Sequence, residues 1–378
     1  MSDSRVTPSR RLAFRGLAFL WLVFAFLVIA ALAGEVWLRY QWSRAWKISE
    51  PFRTGNVFFA HSNEMNAGNR GLWHKPWRKY EPGAKLEMDT GGQHFRIEIN
   101  SLGYRTREFA PKKPAGTVRV LCIGGSTTVA GRTNDETYPA LLEARLRRRW
   151  PGLPVEVLNL GTSGVDSALW LGWIDKLLGF DPDLIVQYEA INDIAWAELP
   201  AFAARHPGRR WMEESLLFER LRGLEPSELL PEMRETLDLR LQMERRCRAA
   251  GIDYLGATFA APDASRASEE FRRTLDVGTA FWTRHFPLRR YSIYQALLDR
   301  HNALLVELAE RQRLGCVKVH ERLTDPALFV DACHFTPEGI GLLAFTFEPA
   351  VADLVADRPA FRVWAGRARG PTEGAARE

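Results

Sequence analysis

Val118-Arg119-Val120-Leu121-Cys122-Ile123-Gly124-Gly125-Ser126-Thr127-Thr128 reads as a buried strand running into a tight turn. The six residues from Val118 to Ile123 are mostly apolar and rich in β-branched side chains, which suits a strand covered on both faces. Paired glycines end it. A helical pattern follows at Tyr138, Leu141, Leu142 and Leu146 and stops at Arg147 to Arg149 before Pro151-Gly152. Basic residues in a last turn answer its unpaired carbonyls, and a proline just beyond prevents continuation.

The same unit repeats in type downstream. A strand at Val155 to Leu160 precedes a helix from about Ser167 to Leu178, and a strand at Leu184 to Tyr188 follows Asp181-Pro182-Asp183. A long helix around Glu228 to Ala249, a strand at Asp253 to Phe259, a helix at Tyr294 to Arg313 and a strand at Cys316 to Val319 continue the series. Alternation of this kind implies parallel strands joined by crossover helices. About five strands fit a three-layer α/β/α, flavodoxin-like sheet. Ile194 to Pro226 and Ala260 to Arg290 are longer than ordinary connections and are expected as inserts (194–226 and 260–290) that rim the site.

Upstream, Gly16 to Ala33 is an unbroken apolar run of 18 residues, close to the length that spans a bilayer. Arg5, Arg10, Arg11 and Arg15 precede it, and the positive-inside bias then keeps the N-terminus cytoplasmic. The chain divides on this reading into a cytoplasmic tail (1–15), a transmembrane anchor (16–38), a stalk with a short β segment at His94 to Ile99 (39–115), a catalytic domain (116–358) and a tail (359–378). The localisation expected is single-pass in a bacterial cytoplasmic membrane, with the catalytic domain periplasmic or extracellular. A cleaved signal peptide is the competing reading, because Ala31-Leu32-Ala33 resembles a cleavage site.

The 378 residues carry a formal charge of +5, yet the arginines are scattered and gathered mainly at the termini, so no nucleic-acid partner is expected. Cys122, Cys247, Cys316 and Cys333 form no C-x-x-C pair, and neither a structural metal nor a cofactor is expected.

In an open parallel sheet, ligands bind beyond the carboxyl ends of the strands. Those positions here are Gly124-Gly125-Ser126, Asn159-Leu160-Gly161-Thr162-Ser163-Gly164 and Glu189-Ala190-Ile191-Asn192-Asp193, with Asp331-Ala332-Cys333-His334 near the end. Thr336-Pro337 then reads as a helix start. Acyl transfer needs a nucleophile, a base, a group orienting that base and donors facing the developing oxyanion. Ser126, His334 and Asp331 are the candidates for the first three roles. The backbone N–H groups of Ser126 and Gly164 and the side-chain amide of Asn192 are the candidate oxyanion donors. Phosphate binding by the Gly-Gly-Ser turn is disfavoured, because no P-loop lysine follows. Cys333 is expected to pack, its side chain diverging from that of His334, and Asp193 to be structural.

This order of segments resembles the SGNH, or GDSL-like, hydrolases over roughly Arg119 to Ala356, of the bacterial membrane-anchored type. Gly124-Gly125-Ser126 stands for the family's Gly-Asp-Ser turn, with glycine where aspartate is common. Gly164 matches the second block better than Gly161 does. Ala190-Ile191-Asn192-Asp193 lacks the leading glycine of Gly-x-Asn-Asp, whereas Asp331-x-x-His334 matches unaltered. Asn100-Ser101-Leu102-Gly103-Tyr104-Arg105 also looks like anchored bacterial members. The resemblance implies a serine esterase whose substrate is an ester, expected to be an O-acetyl or other short acyl group on a cell-envelope carbohydrate. Two alternatives are an O-acyltransferase with the same triad and a catalytically inactive anchored module that binds glycan or a protein partner.

Overall fold

The computed structural model describes residues 8–48, 73–74, 79–90, 93–212, 214–283, 286 and 288–368. The start of the expected cytoplasmic tail (1–7), stalk residues 49–72 and 75–78 and the final residues 369–378 lie outside the described residues.

The first helix, α1 (Pro8–Ile48), runs ten residues past the expected end of the anchor. Neither glycine nor proline interrupts Val36 to Ile48, so nothing local stops helix propagation there. The window Gly16–Ala45 is long and apolar enough to cross a membrane. Side chains 16–33 are exposed all round, whereas Gly34, Glu35, Leu38, Trp42 and Ala45 are half-buried on one face. Two small antiparallel pairs follow, β1 (Trp73–His74) with β2 (Lys79–Tyr80) and β3 (Lys85–Thr90) with β4 (Gln93–Glu98). Here β4 corresponds to the anticipated His94 to Ile99 strand, and its partner β3 carries the same alternation at Leu86 and Met88.

The main domain opens with β5 (Val118–Gly124), α2 (Ser126–Val129), α3 (Tyr138–Arg149) and β6 (Val155–Asn159). The helix expected over Ser167 to Leu178 is broken in two, α4 (Ser167–Gly172) and α5 (Ile174–Leu178), with the break at Trp173. Gly172 there is a poor helix former. After β7 (Leu184–Tyr188) the first insert is mostly helical: a π-helical turn at Asp193–Glu198, then α6 (Leu199–Arg205), α7 (Pro207–Met212) and α8 (Leu216–Leu221). Then come α9 (Leu230–Ala249), β8 (Asp253–Ala257), α10 (Glu269–Trp282) within the second insert, α11 (Tyr291–Gln312), β9 (Gly315–Val317) and α12 (Pro337–Ala356). The stretch expected as a tail begins with a further helix, α13 (Pro359–Ala368), whose Phe361 ring packs 4.9 Å from Trp150.

All five main strands are parallel, in the order β6-β5-β7-β8-β9. Counted along the chain this is 2-1-3-4-5, the flavodoxin-like doubly wound order. Strand alternation sends neighbouring side chains to opposite faces. Val118, Val120 and Cys122 therefore pack with Tyr138, Leu142 and Phe347 on one side, and Leu121 and Ile123 with Trp170, Ile174 and Met243 on the other. Burying each such large side chain contributes roughly 1.5–3 kcal/mol, which anchors β5 and fixes where its C-terminal end lies.

The lead-in that reads as a stalk is wired to that end of the sheet. Arg105, buried, donates to the carbonyls of Val129 at 2.6 Å, the last residue of α2, and Gly131 at 2.9 Å, just beyond it. The Tyr80 hydroxyl lies 2.9 Å from Ser163 Oγ and accepts the Ser163 N–H at 3.2 Å.

Candidate active site

The connection reverses direction across the sheet between β5 and β7, and the crevice at such a switch point is where open α/β sheets bind ligands. Ser126 follows β5, Gly164 lies in the loop after β6, and Asn192 follows β7. Asp331 and His334 come from the loop between β9 and α12. Thr336 caps α12 by accepting the Gly339 N–H, which fixes the chain two residues beyond the imidazole.

Ser126 Oγ lies 2.8 Å from His334 Nε2, and His334 Nδ1 lies 2.7 Å from Asp331 Oδ2. The other carboxyl oxygen, Asp331 Oδ1, accepts the backbone N–H groups of Cys333 at 2.9 Å and His334 at 2.8 Å. Burial by itself would raise this carboxyl; the facing imidazole and the N–H donors outweigh it and hold the group below the usual carboxylate range. An ionised carboxylate only accepts hydrogen bonds, so Nδ1 carries the proton and Nε2 is left to accept from the serine hydroxyl. Asp331 and His334 are almost fully buried, while Ser126 keeps 8% of its surface exposed.

The donor half of the site differs from expectation in one respect. Gly164 has φ +70°, a left-handed conformation that favours glycine, and a Cβ added there would meet nothing. Its N–H and that of Ser126 donate to no protein acceptor among the described residues. The Gly161 N–H, by contrast, is spent on Asn159 Oδ1 at 3.0 Å, so the geometry favours Gly164. The Asn192 amide is present beside them but engaged: Nδ2 donates to the Val165 carbonyl and to Glu189 Oε2, both at 3.0 Å.

Sequence reasoning gave Glu189 no role. Its second oxygen, Oε1, accepts the Asn192 N–H at 2.9 Å, so one carboxyl holds both the backbone and the side chain of that asparagine. A Cβ on Gly125 would collide with Asn192 Nδ2 and Glu189 Oε2. Glycine at 125 and the carboxyl at 189 are thus one arrangement. Burial and then the charge of Asp193 push Glu189 up to about 8. Behind it, Arg240 donates to the Glu189 carbonyl and pairs with Asp193 at 2.8 Å, and Asp193 accepts the N–H of Ser167 at 2.7 Å and its hydroxyl at 2.8 Å. The available signal was position: Glu189 is the first residue after β7.

Cys333 packs in the core as expected, but its side chain does not diverge from that of His334; Sγ lies 3.4 Å from Nδ1. The cause is local, since residues 331–334 wrap round the Asp331 carboxyl instead of running extended. Burial and then the Asp331 charge drive the thiol pKa far up, so it stays protonated and unreactive. Asp331, Cys333 and His334 present possible ligand atoms within 4.8 Å of one another, but a metal there would have to break the aspartate–histidine pair. Trp282, at the end of α10, packs its ring 6.0 Å from that of His334. It brings part of the second insert onto the site.

The profile of the GDSL-like Lipase/Acylhydrolase family matches residues 122–340, more than half of the chain. Among curated proteins, none matches in sequence. Similar solved structures include LAE5, an alpha/beta hydrolase enzyme from the metagenome of Lake Arreo, Spain, at 20% identity and TM-score 0.41, covering 63% of this chain and 96% of that one. The acetyl xylan esterase AlAXEase is 16% identical with TM-score 0.41, over 62% of this chain and 100% of its own. A carbohydrate acetylesterase family member from Sinorhizobium meliloti is 15% identical with TM-score 0.40, over 63% and 99%.

Proposed function

Because the chain belongs to the GDSL-like lipase/acylhydrolase family and is an ester hydrolase, we propose that Ser126 is its nucleophile, His334 its general base and Asp331 the carboxylate that orients the base. The observation that carries this reading is the unbroken line from Ser126 Oγ through the imidazole to Asp331, at 2.8 Å and 2.7 Å.

On this mechanism His334 Nε2 takes the hydroxyl proton as Oγ bonds to the ester carbonyl carbon. The carbonyl oxygen becomes an oxyanion that receives the N–H groups of Ser126 and Gly164. The Asn192 amide joins them by exchanging its hydrogen bond to Val165 or Glu189 for one to the oxyanion. The tetrahedral adduct then collapses, the C–O bond to the alcohol breaks, and the imidazolium protonates the leaving alkoxide. Water, deprotonated by the same imidazole, attacks the acyl-serine; the acyl C–Oγ bond breaks, the imidazolium returns the proton to Oγ, and the acid leaves.

The substrate proposed is an O-acetyl or other short acyl ester of a cell-envelope carbohydrate. The enclosed serine, with Trp282 against the base, supports a small acyl group. The envelope assignment rests on α1, read as a retained anchor in the cytoplasmic membrane with the domain on its outer side. Transfer to a sugar hydroxyl is a second reading, favoured by the same enclosure, since transfer requires water to be kept out. Acetate release from an acetylated xylan by the full chain in a neutral detergent separates them. Release without any added acceptor supports hydrolysis, and turnover only with a deacetylated glycan present supports transfer.

A further inference from the structure

Two of the donors assigned to the oxyanion, the N–H groups of Ser126 and Gly164, stand on different segments, one at the start of α2 and the other in the loop after β6. They can serve one oxygen only if their spacing is held, since such donors act at about 2.7–3.1 Å from it. Ser126 follows directly on β5, which the core fixes. Gly164 has no comparable anchor of its own. At φ +70° it occupies a region that glycine enters and leaves freely, and no atom lies within 4 Å of where its Cβ would be.

The place of Gly164 is therefore set by its neighbours. The Thr162 N–H donates to the Gly124 carbonyl at 2.9 Å, and the Val165 carbonyl accepts the Asn192 amide at 3.0 Å. On the mechanism above, the second of these ties is one that Asn192 can give up. Ser163 shares a peptide plane with the Gly164 N–H, and its hydrogen-bond partner among the described residues is Tyr80. The Tyr80 hydroxyl accepts the Ser163 N–H at 3.2 Å and lies 2.9 Å from Ser163 Oγ. A phenol can meet both groups, accepting through a lone pair and sharing its own proton. Burial raises the Tyr80 pKa above its ordinary value, so that proton stays in place at neutral pH.

The ring of Tyr80 is fixed on the nucleophile's side. It is buried with Ile97, Ile99 and Val129, the last of these ending α2. Hydrogen bonds join the lead-in to the same segment: the Arg96 N–H donates to the Arg132 carbonyl at 2.8 Å, Asn134 Nδ2 donates to the Glu98 carbonyl at 2.7 Å, and Arg105 holds the Val129 and Gly131 carbonyls. Tyr80 thus spans from the helix that begins with Ser126 to the loop that carries Gly164.

We propose that Tyr80 is a positioning residue of the active site, setting the spacing between the Ser126 and Gly164 N–H groups, so that the lead-in belongs to the catalytic unit. The inference rests on the oxyanion roles proposed above.

The test compares the full chain in a neutral maltoside detergent with Tyr80→Phe, which keeps the ring in its cluster and removes the hydroxyl. With para-nitrophenyl acetate, kcat falls about 10-fold to 100-fold, the range for losing a supporting partner of a site residue, and KM is little changed. Phenylboronic acid adds to a serine oxygen as a tetrahedral anion, and its inhibition constant rises by the same factor, because its oxygen draws on the same donors. Ser163→Ala keeps the backbone tie and costs less, and the double variant is no worse than Tyr80→Phe. Leu86→Ala, at the edge of the same apolar cluster, lowers the unfolding temperature and leaves kcat unchanged. An unaltered kcat in Tyr80→Phe, a rise in KM alone, or a fall in kcat without weaker boronate binding overturns the proposal. A parent chain that neither turns over the ester nor binds the boronate sinks the wider reading and this inference with it, whereas an active, inhibited parent beside an unaltered Tyr80→Phe sinks the positioning role alone.

Discussion

The two halves of the crevice are prepared to different degrees. On one side Ser126, His334 and Asp331 already form a continuous line of short contacts. On the other, two backbone N–H groups have no protein acceptor among the described residues, while the Asn192 amide is committed to Val165 and Glu189. The proton-transfer half depends only on side chains fixed by one short loop and one strand end. The oxyanion half depends on a third layer of residues, because Asn192 is placed by Glu189, and Glu189 fits only because residue 125 lacks a side chain. On the proposed roles, a resting site has its nucleophile aligned before its electrostatic stabilisation is complete.

Removing the proton-transfer half gives the largest effect. Ser126→Ala and His334→Ala each lower kcat by roughly 10⁴-fold to 10⁶-fold, measured as acetate release, with the circular dichroism spectrum retained. Asp331→Asn costs about 10⁴-fold by stabilising the wrong tautomer. If it cost under tenfold, the carboxylate would have no orienting role.

Changes on the donor side are smaller and sharpen the contrast. Asn192→Ala lowers kcat about 100-fold to 1000-fold if the amide reaches the oxyanion, and an unchanged kcat means that it stays on its resting partners. Glu189→Ala and Gly125→Ala act on the same amide without touching substrate, the first by removing its support and the second by displacing it. Each is expected to lower kcat by about 10-fold to 100-fold, comparable to losing a supporting partner of a site residue, with KM little changed. Their effects fail to add in the double variant, because both work through one group; full additivity breaks the coupling.

The smallest effect is on stability. A glutamate with an unfolded pKa near 4.3 that is pushed up to about 8 in the fold keeps a proton which the unfolded chain releases between those values. Its contribution is complete below the lower pH and is lost as pH rises toward the upper one. Thermal unfolding of Glu189→Gln followed from pH 5 to pH 9 should show a shallower decline than the parent. Parallel curves would mean that the carboxyl is already ionised at low pH.

These contrasts track what the sequence made legible. The five strands are short apolar runs ended by turn residues, so their places and parallel order follow from local pattern alone. Ser126, Asn192, Asp331 and His334 stand at strand ends or before a capped helix, where position itself is informative. Glu189 stood in the same kind of place, yet its meaning lies in a contact with Gly125 some 60 residues away, which periodicity does not encode. The inserts were visible only as excess length, because their short helices owe their form to packing on distant elements, α8 on α1, α10 on α1 and α11, and α6 on α9. The continuation of α1 to Ile48 was written in the absence of breakers after Val36, but hydropathy drew attention to the apolar part alone. The packing of Cys333 follows from its apolar character, whereas its closeness to His334 does not, because the carboxyl of Asp331 gathers residues 331–334 into a turn that the local sequence pattern does not encode.

The proposed nucleophile is tested most directly by treating the detergent-purified full chain with a fluorophosphonate probe and locating the adduct by peptide mass spectrometry. A single adduct on Ser126, absent from Ser126→Ala and lost in His334→Ala, is the result predicted. A folded chain that takes up no probe would contradict it and favour an inactive binding module, and an adduct on any other residue would assign the chemistry elsewhere.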